Sequence, residues 1–441
     1  MSLCLLRRWP ARCIPRWTVL AGLVLLCGCS PSDRAGLEPG ITTLVFKHGK
    51  VAGDPRAMAA ILREFESRHP GVQVREEILP SSSDQQHQFY AVTLEGKQAP
   101  FDLFAVDTVW VQEFARAGWL RPLDDLLPSA DRDRYFPGPI QAATFRGRLY
   151  AAPWYIDAGV LYYRRDLLDR YGFVPPRTWP ELVSMSRAIL DAEGDARLAG
   201  FVWQGKQYEG LVCVALEFLR SHGSDLWDGD EREAATALQF MRDVIAKDRV
   251  TPSAMATADE EGTRHLFGAG RAIFMRNWPY AWTLFQQPDS VVRNRVGIAP
   301  LPAFPGYVNA PTLGGWTLAV PSRAAHPQEA ADLIRYLISP EVQRRLALEV
   351  GYKPVRSDLY DDALFGPQPW LRDVLPAFLA ARPRPVTPYY LMISQMAQPE
   401  LSAVVVGRKT PEAAIRSIRK QTALLLGRST IQPISSPDEA T

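Results

Sequence analysis

Cysteine and histidine are scarce, and no apolar run is long enough to cross a membrane. Of five cysteines, Cys4, Cys13 and Cys27 lie in the first 28 residues, which leaves Cys29 and the isolated Cys213. If Cys29 is modified, no internal disulfide framework remains and stability must come from packing. The six histidines are scattered without the spacing of metal ligands, so no metal is expected. G-x-S-x-G elbows, H-E-x-x-H helices, P-loops and paired C-x-x-C motifs are missing, so no catalytic template and no cofactor is expected. No repeat of 20 to 50 residues is visible. Carboxylates are plentiful, and sequence alone leaves a glycosidase pair open, because the separation of two carboxyls in space decides that chemistry.

What is present begins with a basic, then apolar, amino terminus. Arg7, Arg8, Arg12 and Arg16 precede the apolar stretch 18–27, which is too short to span a bilayer and reads as an export signal. Leu26-Cys27-Gly28-Cys29 resembles a bacterial lipobox, in which Cys29 is acylated and becomes the first mature residue. A small residue at the cleavage point serves plain secretion as well. Residues 30–40, rich in Pro, Ser and Gly, read as a tether. The whole chain has 50 Lys and Arg against 48 Asp and Glu, and without the four signal arginines the balance turns slightly acidic. Nothing in that balance points to nucleic acid.

At 441 residues the chain exceeds the size of one hydrophobic core, so two lobes are expected. The order is β-α-β at the start: an apolar run at 42–46, a turn with Gly49, Gly53 and Asp54, and a helix led by Pro55 whose Met58, Ile61, Leu62 and Phe65 share one face. A strand at 72–79, a helix at 84–95 and a buried strand at 101–106 follow, with Asp107 at its carboxyl end, where open α/β sheets place ligands. The segment 152–168 reads as a loop, then a strand at 160–163, then a helix. From Trp179 onward helical periodicity dominates, which suggests a second, helix-rich lobe. Strands at 272–275, 296–302 and 312–320 interrupt it, and two helices close the chain.

Acids and aromatics recur together at positions read as loops after strands. They are Asp54, Asp107, Tyr155 with Asp157, Trp278 with Tyr280, and Trp316 after Gly314 and Gly315. Asp157 alone reads equally as the cap of a turn, and Trp278 alone as a core aromatic. As a set they suit a sugar, whose hydroxyls donate to carboxylates and whose C–H faces rest on rings, while the glycines allow close backbone approach.

The runs FVWQGKQYEGLVC at 201–213, RNWPYAW at 276–282, TLGGW at 312–316 and RPVTPYY at 384–390 resemble the trehalose/maltose-binding proteins of ABC importers, within extracellular solute-binding protein family 1. The resemblance covers about residues 41–428. It implies an α/β periplasmic-binding-protein-like fold of two lobes, with a hinge and an interlobe ligand cleft. Carried over by position, it implies that Asp107, Tyr155, Asp157, Trp278, Gly314, Trp316 and Arg384 contact a disaccharide, with Tyr280 and Gly315 beside them. Asp54 stands where trehalose-binding relatives have a glutamate, and Gln86 where they have an arginine.

The expected organisation is a signal peptide at 1–28, a lipid-anchored tether at 29–40, lobe 1 at 41–157 and 312–362, lobe 2 at 158–311 and 363–428, and a flexible tail at 429–441. Hinge crossings are expected near 157–160, 309–313 and 360–366. The function that the resemblance implies is that of an exported, non-catalytic monomer, lipid-anchored in the cell envelope through Cys29, that binds an α-linked disaccharide, trehalose or maltose, by hinge closure and delivers it to ABC permease subunits. The rival readings are an exported glycoside-processing enzyme using Asp107 and Asp157, and the same fold with a different oligosaccharide.

Overall fold

The computed structural model describes residues 40–427 apart from 52, 53, 81 and 97. The expected signal, Cys29, nearly all of the tether, Gly53 and the tail therefore lie outside the described residues. No helix among the described residues is long and apolar enough to cross a membrane.

Eleven strands carry the described fold: β1 (Thr42–Gly49), β2 (Val72–Leu79), β3 (Leu103–Asp107), β4 (Thr144–Phe145), β5 (Arg148–Leu149), β6 (Ala152–Ala158), β7 (Val160–Arg164), β8 (Ala199–Val202), β9 (Ala272–Asn277), β10 (Val296–Pro300) and β11 (Leu313–Ala319). One sheet has the order β2-β1-β3-β11-β6 and the other β10-β7-β9-β8, while β4 and β5 form a small hairpin. In the first sheet β1 runs parallel to β2 and β3, and β11 runs antiparallel to β3 and β6. The architecture is the expected mixed α/β fold with two sheet-containing lobes. The chain passes between the sheets at Gly159, between β6 and β7, and returns between β10 and β11. The segment near 360–366 follows a single 3-10 turn, Ser357–Leu359, and holds a short helix, Asp362–Phe365.

Local chemistry explains the helices. Asp54 accepts the amide N–H of Arg56 and caps Pro55–Arg68, whose buried Met58, Ile61, Leu62 and Phe65 form the stripe that the spacing predicts. Thr178 and Glu181 form a reciprocal capping box on Trp179–Glu193, and Gly194 ends that helix at φ 62°.

The segment 152–158 corrects the sequence reading, because it is a strand and not a loop. Proline at 153 lacks a ladder donor, and the register with β11 shifts at that place: Tyr155 faces Trp316 whereas Pro153 faces Thr317. Trp154 is the extra residue of this bulge, and its carbonyl accepts from the Gln343 amide at 2.7 Å instead.

Candidate functional site

The middle of the first sheet lays out a row of unlike side chains. β11 lies between β3 and β6, and its register sets Trp316 opposite both Asp107 and Tyr155, with Gly314 opposite Asp157. Cross-strand partners and residues two apart share a face, so Asp107, Trp316, Tyr155 and Asp157 project on the same side. In β6 only Tyr155 and Asp157 are partly exposed among buried neighbours. These residues thus lie within strands rather than on the loops that the sequence suggested, with Asp107 the last residue of β3.

Aromatic packing fixes the row. Tyr155 stacks on Tyr352 with ring centroids 4.0 Å apart, and Trp316 meets Trp110 edge-on at 5.5 Å. Burial, then the nearby Tyr352, pushes the Tyr155 phenol well above its ordinary pKa. The Asp157 carboxyl is raised by burial, against the opposing pull of Lys353 and Arg276, and burial lowers Lys353.

From the second sheet, β9 ends at Asn277 and delivers Trp278 to the row. A Cβ on Gly314 would lie 3.0 Å from the Trp278 ring, so the glycine is what lets the indole approach the strand. The Arg276 guanidinium lies 4.0 Å from the same ring, and Trp278 Nε1 donates to Glu260 at 3.4 Å. Tyr280 donates its hydroxyl to Glu261 at 2.8 Å, and Tyr208 donates to Glu260 at 2.6 Å. Arg276 is buried and held by Glu217 at 2.8 and 2.5 Å. Glu217 also accepts the Thr312 amide N–H at 3.2 Å, and a Cβ on Gly159 would collide with it. One carboxylate therefore touches both connections between the sheets.

Arg384 joins the two sides. It donates to Asp107 at 3.0 Å and to Glu209 at 2.7 Å, and Glu209 accepts in addition from Tyr390 at 2.6 Å and from Ser394. Burial raises the Glu209 carboxyl and the Arg384 charge opposes that shift.

The structure thus brings together Asp107, Tyr155, Asp157, Trp278, Gly314, Gly315, Trp316 and Arg384, with Tyr280 beside Trp278. Asp54 and Gln86 make other contacts. Asp54 is engaged by Arg56 through its cap and a 3.1 Å ion pair. Gln86 is 2% exposed and donates to the Pro80 carbonyl at 2.7 Å, packed where Gly49 has no Cβ.

Glu209 and Glu217 were not singled out from the sequence. Their signal is present in EGLVCVALEFLR: two carboxylates in a helix buried along its whole length require cationic partners. The sequence does not say which cations these are. No group of three His, Cys, Asp or Glu among the described residues could hold a metal ion.

Residues 50–344 match the family described as bacterial extracellular solute-binding protein. A probable ABC transporter-binding protein of Deinococcus radiodurans is 36% identical over 364 residues, covering 79% of this chain and 86% of that one. A maltotriose-binding protein of Pyrococcus abyssi is 25% identical over 334 residues, 74% of this chain and 69% of its own. The maltose-bound MalE3 structure of T. maritima superposes with a TM-score of 0.80 at 38% identity, covering 87% of this chain and all of that one. With a two-sheet α/β fold and a match across most of its described length, the chain belongs to the bacterial extracellular solute-binding protein family.

Proposed function

We propose that the protein is the substrate-binding component of an ABC sugar importer and that it takes an α-linked disaccharide, trehalose or maltose, between its lobes. The observation that carries this reading is the row Asp107–Trp316–Tyr155–Asp157, faced by Trp278 across Gly314. Carboxylates accept sugar hydroxyls while indole and phenol rings support the C–H faces. Relatives named for maltose and maltotriose support the same substrate class.

The mechanism in this reading is a population shift. A sugar that touches the first sheet through Trp316 and the second through Trp278 stabilises the closed arrangement by its differential contacts, and the permease subunits recognise that arrangement. The protein acts outside the cytoplasm as a monomer, held to the membrane by lipid on Cys29, and does no chemistry on its ligand.

Titration calorimetry against trehalose, maltose, maltotriose and glucose tests the reading. Saturable binding of one disaccharide with one site per chain supports it. Release of glucose from either disaccharide would instead support the enzyme reading built on Asp107 and Asp157. Cys29→Ala is expected to move the protein out of the membrane fraction without altering sugar affinity, and retention of the variant in that fraction overturns the anchor.

A further inference from the structure

A groove of about 870 Å³ opens beside β10, the edge strand of the second sheet, and shares no residue with the row around Trp316. Its aromatic lining is Tyr163, Trp282 and Trp370. The two indoles stack with centroids 4.9 Å apart and planes 22° from parallel. Tyr163 lies across Gly297 of β10, where a Cβ would fall 2.0 Å from the phenol ring, so a glycine in the edge strand is what admits the ring. Lys353 stands 4.9 Å from the Trp370 ring, and Trp282 remains half-exposed toward the groove.

Polar side chains with no side-chain hydrogen bond among the described residues face the same space, with the Arg165 charge acting on two of them, Asp373 and Tyr163. The Asp373 carboxylate has no hydrogen bond or ion pair among the described residues, and neither the Tyr163 hydroxyl nor Trp282 Nε1 has a hydrogen bond there. The neighbouring cations are already engaged: Arg372 pairs with Asp362 at 3.1 Å and Arg165 donates to the Val296 carbonyl at 2.6 Å. Gln286 adds an amide to the wall. A groove with ring faces, an available carboxylate and neutral donors suits a neutral polyhydroxylated ligand better than an anion. Its volume falls in the range of about 300 to 1,000 Å³ found for small-molecule sites.

We infer that this groove is a second saccharide site, outside the cleft, in which Trp282 supports a sugar ring and Asp373 accepts its hydroxyls. The inference is independent of which sugar, if any, the cleft holds.

The experiment uses the full chain carrying Trp316→Ala and Asp157→Ala, which disables the row in the cleft. Maltose, trehalose and maltotriose are added at millimolar concentrations and followed by saturation-transfer NMR. Residual binding of at least one of them is expected, weakened about tenfold by a further Trp282→Ala. Asp373→Asn, a conservative change at an exposed position, is expected to weaken the same binding and keeps the test valid if the indole substitution impairs folding. In the otherwise unaltered protein, Asp373→Asn is expected to leave cleft affinity unchanged. Absence of residual binding for all three sugars, or residual binding indifferent to both groove substitutions, overturns the site. Groove-dependent binding in a protein whose intact cleft takes no sugar would leave this inference standing while the proposed function fails.

Discussion

The carbonyl oxygen of Tyr155 lies 2.4 Å from where a Cβ on Gly315 would sit, and Gly315 has φ +113°. Both facts exclude a side chain at that position. Gly315→Ala is therefore expected to cost about 1 to 3 kcal/mol of stability through backbone strain alone, before any displacement of β6. Chemical denaturation checks the loss, and a midpoint equal to that of the unaltered protein would show that the two strands can separate without cost.

Trp316 is half-exposed and its ring meets Trp110 edge-on. Trp316→Ala is expected to weaken disaccharide binding by about 1 to 3 kcal/mol, tenfold or more in affinity, with a smaller effect on melting than Gly315→Ala. Calorimetry and a melting curve on the same sample separate the two effects. Unchanged affinity with an unchanged melt removes Trp316 from the site.

Glu217 and Arg276 are 2% and 1% exposed at their side chains. Removing one partner of such a pair leaves the other buried and uncompensated, so Glu217→Ala is expected to destabilise by about 3 to 5 kcal/mol. Since Arg276 also lies against Trp278, sugar affinity is expected to fall as well. Urea denaturation reads the first effect; a loss below 1 kcal/mol would mean that water reaches the pair.

Asp157 carries a carboxyl raised by burial. Between its unfolded and folded values the native state holds the proton that the unfolded chain has released. Stability from this group is present at acid pH and is lost as pH rises through that window. Asp157→Asn removes the titration, so its stability relative to the unaltered protein is expected to be greater at pH 8 than at pH 4. Denaturation at the two pH values decides, and a gap that widens toward acid reverses the sign of the argument.

The sequence by itself determined what depends on near neighbours. The face of Pro55–Arg68, its Asp54 cap and the strand at 72–79 follow from spacing and local hydrogen bonding, and the structure has them as read. The pairing of acids with aromatics around a glycine pair was legible too, since it is a matter of composition over a few residues. Tertiary structure decided the rest. Residues 152–158 become a strand because β11, which comes after all the strands of the second sheet in sequence, pairs with them in the first sheet, and no local periodicity records a partner that distant along the chain. Arg384 finds Glu209 175 residues away and Asp107 277 residues away, partners that burial demands and only folding selects. Gln86 is a further case: its amide nitrogen lies beneath Gly49 and donates to the Pro80 carbonyl, a placement that no local pattern records.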